Sequence, residues 1–327
     1  MTASTALSSG SGRARSVEER IGRLSAAAAR RVIEPDEEVI GCVGDGQLLP
    51  DELLSIAGLD LELTPAQRAL LSREEIGSIT QAGMRFEAVL EAGFGVQLAT
   101  AEDLTDPRWT FVLHEVGEET RHQRLFQRLL AQLAPKASYP IPLGLVQLGY
   151  RVAVGVTAGN PATFYALVLA GEEIPDLLQK LASEHPETDP FVKAINKYHR
   201  MEEARHLSFA RAVFPEIWQK ASVVDRFLVR AVVPRMIAMM FKDIVHPGVY
   251  AVIGLPTWRT WLAANATPER RRLRYQATRP ILEVLLDCGA LPRGRVPRAW
   301  RRTCGVDRAG GPIEVRTATA GTPRLVA

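Results

Sequence analysis

Two segments of the chain carry the residue types of a metal site at helical spacing. One reads Glu115-Val116-Gly117-Glu118-Glu119-Thr120-Arg121-His122, the other His199-Arg200-Met201-Glu202-Glu203-Ala204-Arg205-His206. Both end in Glu-Glu-x-Arg-His, so a Glu stands three residues before a His. At about 100° per residue, positions three apart on a helix point within about 60° of each other. Glu119 pairs with His122 in this way, and Glu203 with His206. His199, four residues before Glu203, adds a third donor to the second face. Glu offers one or two oxygens and can bridge two ions, whereas neutral His offers one nitrogen. Such mixed ligation suits iron, or manganese, better than a thiolate-preferring metal. A lone Glu-x-x-His is an ordinary solvated helix face, but three of the six histidines fall in these two segments. His114, His185 and His246 read as ordinary polar or core residues.

The surrounding elements are helical, with no strand pattern. Ser16 opens a helix to about Val32, and Thr64-Pro65 opens a helical region whose long helix runs from about Glu74 to Leu98. Asp106-Pro107 starts the helix of the first segment, ending before Pro135. Asn160-Pro161 starts a helix to about Ser183, with Pro175 inside it. Asp189-Pro190 starts the helix of the second segment, ending near Phe214-Pro215. Residues 222–244 form one very apolar helix whose Met residues read as gap-filling core. Thr267-Pro268-Glu269 starts a last long helix to about Cys288. These elements predict an all-α, ferritin-like helical bundle with a dinuclear metal site and additional flanking helices. Residues 1–15 read as a disordered lead-in, 16–291 as the single helical domain, and 292–327 as an Arg-, Pro- and Gly-rich tail.

Composition narrows the partners. A net charge of +3 leaves no strong nucleic-acid footprint, and the basic excess sits at Arg270–Arg274 and Arg293–Arg308 as a solvated face or tail. The three cysteines are scattered, which fits a reducing cytoplasm rather than a disulfide framework. No secretory signal opens the chain. The apolar stretch Ile141–Gly171 is split by Gly159-Asn160-Pro161, so two buried core helices are expected rather than a membrane span.

A dinuclear site needs two more carboxylates, one from each remaining bundle helix. The helix before the first segment offers Glu87 and Glu91. Glu87 lies nearer the apolar stripe of Gly83, Leu90 and Phe94. The helix before the second offers Glu172 and Glu173, just after the long apolar stretch, where an unpaired carboxylate demands a partner. The residues leave that pair open. Glu115, Glu118 and Glu202 stand behind the ligands, as groups that orient them or as alternative ligands, a status Glu91 and Glu173 share.

Single helix carboxylates followed by two Glu-x-x-His motifs resemble the ferritin-like diiron proteins. The extra His199 resembles the p-aminobenzoate N-oxygenase (AurF-type) family over about residues 74–210. The resemblance implies Glu87, Glu119, His122, Glu172, His199, Glu203 and His206 as ligands of two iron ions, with manganese as the other metal to consider. It also favours Glu172 over Glu173. The implied activity is an O2-dependent monooxygenation, with an aryl amine nitrogen taken towards hydroxylamine and nitro products in secondary metabolism. Electrons come from an external donor, since no flavin, nicotinamide or iron–sulfur motif is visible. The apolar segments 141–170 and 224–253 are the expected walls of a substrate pocket. The alternatives are a diiron hydroxylase or desaturase acting on carbon, and a ferroxidase or iron-binding helical protein. A homodimer is the assembly to test.

Overall fold

The computed structural model describes residues 8–315, with side chains from Val17 onward. In chain order the helices are α1 (Ser8–Arg30), α2 (Pro35–Glu38), α3 (Pro65–Ala99), α4 (Pro107–Leu133), α5 (Leu143–Ala158), α6 (Pro161–Glu184) and α7 (Pro190–Lys220). They are followed by α8 (Val223–Phe227), α9 (Val233–Asp243), α10 (Gly248–Val252), α11 (Thr257–Ala266), α12 (Pro268–Asp287) and α13 (Arg298–Cys304). An isolated bridge between Val306 and Pro312 is the extended pairing among the described residues. None of these helices is long and apolar enough to cross a membrane.

Capping side chains fix where the bundle helices begin. Thr64 accepts the Gln67 N–H and closes a capping box, Asp106 accepts from Arg108, Asp189 from Phe191 and Val192, and Thr267 from Arg270. In each case a Pro follows the cap, where its missing N–H costs nothing. Asn160 departs from the expectation. Its side chain donates to the Val156 carbonyl, and α6 is capped from a distance. The Asp225 carboxylate accepts the N–H groups of Ala162 (2.8 Å) and Thr163 (2.7 Å) and the Thr163 hydroxyl (2.6 Å).

α3 packs along α4 and α6 along α7, and these two pairs make the bundle. α6 is buried without interruption from Ala162 to Ile174, so it is the central helix. Aromatic rings lock it in place. Phe94 of α3 meets Phe164 edge to face at 5.0 Å, and Tyr165 meets Phe209 of α7 at 6.3 Å. A Cβ at Gly171 would collide with the Phe86 ring, so glycine there lets α6 and α3 approach closely beside Glu172.

Several elements differ from the expectation. α5 is no core helix: Leu143, Leu145, Leu148 and Val152 are all more than half exposed, and Thr157 is its buried side chain. It lies outside α3 and α6, over a cavity instead of over packed side chains. α7 continues past Pro215 to Lys220, because burial of Phe214 and Trp218 outweighs the lost hydrogen bond. The apolar helix at 222–244 is broken by a π turn at Leu228–Val232. Pro234 has no N–H for the Arg230 carbonyl, and the wider turn absorbs that defect. Met236 and Met240 pack against the core as expected and also line the cavity, whereas Met239 is exposed at its edge. Arg270 is buried, not solvated; its guanidinium lies over the Phe241 ring and donates to the Phe241 carbonyl.

At the termini, α1 begins at Ser8, inside the expected lead-in. The expected tail carries α13, whose Trp300 is fully buried and donates from Nε1 to the Val229 carbonyl at 3.1 Å. Residues 1–7 of the lead-in and 316–327 of the tail lie outside the described residues.

Asp225→Ala removes two backbone acceptor bonds at the buried start of α6. Urea denaturation should show a loss of about 2 kcal/mol, and an unchanged midpoint would contradict this capping role.

Candidate metal centre

Each helix of the bundle sends one part of the site inward. Glu87 comes from α3, Glu119 and His122 from α4, Glu172 from α6, and His199, Glu203 and His206 from α7. Glu119, His122 and His206 are wholly buried and the other four are at most 5% exposed. Ligand-type atoms of Glu87, His122 and His199 lie within 4.8 Å of one another, as do those of Glu119, Glu172, Glu203 and His206. The seven sequence-predicted positions are therefore brought together as two adjoining groups, each able to hold an ion.

Glu119 and Glu203 face each other across the centre. Nδ1 of His122 is 3.1 Å from Glu119 Oε2 and 3.3 Å from Glu203 Oε1. Nδ1 of His206 is 2.9 Å from Glu203 Oε2 and 3.3 Å from Glu119 Oε1. Both glutamates thus reach both histidines, the geometry of carboxylates that bridge two ions. His199 presents its other nitrogen, Nε2, at 3.2 Å from Glu87 Oε1 and 3.3 Å from Glu203 Oε1.

The repeated Glu-Glu-x-Arg-His has a division of labour that spacing alone did not reveal. The second Glu of each segment faces the centre, while the first clamps the opposite helix. Glu202 Oε2 accepts from His122 Nε2 at 3.0 Å, and Glu118 Oε2 accepts from His206 Nε2 at 2.9 Å. The arginines cross over as well. Arg205 reaches Glu118 at 2.8 Å and Arg121 reaches Glu202 at 3.4 Å, whereas the same-helix pairs are longer, at 3.5 and 4.0 Å. A carboxylate behind each ring fixes its tautomer and aims Nδ1 inward.

Gln179 was missed. Its Oε1 accepts from His199 Nδ1 at 3.0 Å, which aims Nε2 at the centre. It lies two helical turns beyond Glu172 on the same face of α6, so the spacing carried a signal. The open pairs are resolved geometrically. Glu173 turns away to an ion pair with Arg211, while Glu172 joins the cluster. Glu91 is half-buried and lies outside both ligand groups, as does Glu115, both of whose oxygens lack a hydrogen-bond partner.

Burial and crowding set the protonation. Burial, then the Glu119 charge, pushes Glu87 well above the usual carboxylate range, and burial, then Glu203, does the same to Glu172. Burial also raises Glu115 to about 8. For His122 and His206 burial opposes the charged ring, but the surrounding glutamates outweigh it and hold both well above the ordinary histidine value. Burial lowers His199 to about 4, helped by the neighbouring His122. Without cations, then, protons neutralise the cluster. The residues fit two divalent ions on charge: four carboxylates and three neutral imidazoles balance two such ions. Glu87 Oε2 has no hydrogen-bond partner among the described residues, as a waiting metal ligand would not.

Glu87, Glu172, His199 and Glu203 also line a cavity of about 680 Å³. Its other walls are largely apolar, among them Leu90, Phe126, Leu129, Leu167 and Ile174. Residues of α5 and α9 close it, as the apolar segments predicted.

A helical bundle with this buried carboxylate–histidine cluster defines a ferritin-like protein of the dinuclear-metal class. The family model described as P-aminobenzoate N-oxygenase AurF matches residues 14–289, and the chain belongs to that family. Similar proteins include the uncharacterized proteins Rv0885 and MT0908 of Mycobacterium tuberculosis and Mb0909 of Mycobacterium bovis. Each is 28% identical over 172 residues, covering 52% of this chain and 49% of the relative. The chain thus spans about half the length of the curated relatives it matches.

Metal entry must displace the protons on Glu87, Glu172, His122 and His206, so affinity should rise with pH and fall as the medium becomes acidic. Calorimetric titration with ferrous iron in buffers of different ionisation enthalpy should register proton release near neutrality. In the same titration Glu202→Gln should weaken binding by about 10- to 100-fold. Binding that releases no protons and ignores Glu202 would contradict this site.

Proposed function

We propose that this chain is an O2-dependent diiron N-oxygenase of an amine, an aryl amine by preference. Glu87, Glu119, His122, Glu172, His199, Glu203 and His206 hold the two irons. The observation that carries this reading is that Glu87, Glu172, His199 and Glu203 of the cluster line a largely apolar cavity large enough for an organic substrate. Bound iron would supply the redox chemistry that O2 activation requires.

The chain's own groups do the rest. Glu119 and Glu203, each within reach of both His122 and His206, would be shared between the two ions. Glu118 and Glu202 keep a proton on Nε2 of His206 and His122, so that Nδ1 is free to donate its lone pair. Gln179 does the same for His199 through Nδ1. Leu90, Phe126, Leu129 and Leu167 exclude water, bind the apolar body of the substrate and leave its nitrogen facing the cluster. Electrons come from a separate reductase or small reductant. A cytoplasmic location, where thiols remain reduced, suits the three cysteines scattered at 42, 288 and 304.

The same apolar walls also suit a carbon-directed hydroxylation, and product mass separates the two. Iron-loaded protein with a reductant, an aniline and isotopically heavy O2 should yield arylhydroxylamine or nitroarene carrying the heavy oxygen on nitrogen. His199→Ala should lower that yield by at least about tenfold with the helical circular dichroism retained. Ring- or chain-hydroxylated products, or full activity in His199→Ala, would overturn this proposal.

A further inference from the structure

The cavity does not end in apolar side chains. Opposite the carboxylate cluster it is lined by Tyr139, Asp243 and His246. Its length can be read along α3. Glu87 faces the cluster, and Ser78, nine residues earlier on that helix, fastens the polar end. The Ser78 hydroxyl donates to the Ile244 carbonyl at 3.0 Å and accepts the His246 N–H at 2.9 Å. Nine residues of α-helix rise about 13 Å. Between the two ends α3 contributes Ile79, Ala82, Gly83 and Phe86 to the wall, and Leu129 of α4 lines the same cavity.

At the polar end the bonding positions are partly used. The Tyr139 hydroxyl donates to Asp243 Oδ2 at 2.8 Å, and the Gly248 N–H donates to His246 Nδ1 at 3.1 Å. That leaves Asp243 Oδ1 as an open acceptor beside the Tyr139 oxygen. Among the described residues Asp243 forms no ion pair; Lys242, its chain neighbour, acts on it at longer range only. Arg85, the cationic side chain of the cavity wall, is exposed, lies over the Tyr150 ring 6.0 Å from its centroid, and its charge reaches His246, but it forms no ion pair with Asp243 among the described residues. A half-buried carboxylate with an open oxygen, at the end of an apolar passage, attracts a cationic hydrogen-bond donor.

We infer that Asp243 recognises a cationic nitrogen at the far end of an elongated substrate, about one cavity length from the nitrogen that faces the cluster. The substrate class is a basic amine with an apolar spacer and a second, reacting amine. The identity of the reacting end rests on the oxygenase reading, whereas the recognition at Asp243 requires only the cavity.

The test uses three anilines with a para pentyl chain ending in an ammonium, a methyl or a carboxylate. Binding is measured by anaerobic calorimetry on the full chain, both iron-loaded and chelator-treated. The ammonium-ended probe should bind at least about tenfold more tightly than the methyl-ended one in both preparations, as a charged hydrogen bond in a partly buried site provides. Asp243→Asn should bring it down to the level of the methyl-ended probe. Equal affinities, tightest binding of the carboxylate-ended probe, or a preference that survives Asp243→Asn would each overturn the inference. The ranking on the unaltered protein stands even if the variant does not fold. An intact ranking with no oxygen transfer to any aniline counts against the oxygenase reading alone. Oxygen transfer with no ranking counts against Asp243 alone.

Discussion

Negative charge enclosed in the middle of a helical bundle is the constraint around which this molecule is organised. Glu87, Glu119, Glu172 and Glu203 sit together, each at most 5% exposed. An uncompensated buried carboxylate costs several kcal/mol, more than most packing contacts return. Four at one point would open the bundle unless cations or protons answered them. Burial and the neighbouring charges raise the proton affinities of Glu87, Glu172, His122 and His206, so protons are one answer to that charge. Two divalent ions would satisfy the same charge and also occupy the orphaned Glu87 oxygen. Stability and chemistry therefore converge on one cluster.

The scaffold holds that cluster from behind, and unevenly. Glu118 with Arg205, and Glu202 with Arg121, clamp α4 to α7 in a crossed pair, so the two helices with Glu-x-x-His cannot shift without breaking both. His122 and His206 lean on carboxylates, which strengthen their donation. His199 leans on the neutral Gln179 amide and is a weaker donor. That weaker side is the one facing the cavity. The centre is thus closed and electron-rich on the α4–α7 side, and open where Glu87, Glu172 and His199 meet the substrate space.

Much of this was legible in the chain because helical period and charge burial are local rules. Glu119, His122, Glu203, His206 and His199 followed from spacing, and Glu87 from its place on the apolar stripe. Glu172 over Glu173 needed the family pattern; the physical reason, Arg211, comes from another helix and leaves no local mark. The crossed clamp was hidden for a similar reason, since Glu-Glu-x-Arg-His reads as same-helix salt bridges until α4 faces α7. The apolar α5 looked like core because hydrophobicity does not tell a wall over a cavity from a wall over packed side chains. The capping of α6 by Asp225 and the burial of Arg270 likewise depend on segments far apart in the chain.

The central claim is that this enclosed cluster holds two ions. Its most direct test is anomalous scattering at the iron edge from a crystal soaked anaerobically with ferrous salt. Two adjacent peaks should appear, one beside Glu87, His122 and His199 and the other beside Glu172 and His206, with Glu119 and Glu203 between them. A single peak, or none, with the glutamates hydrogen-bonded to the histidines instead, would contradict the account.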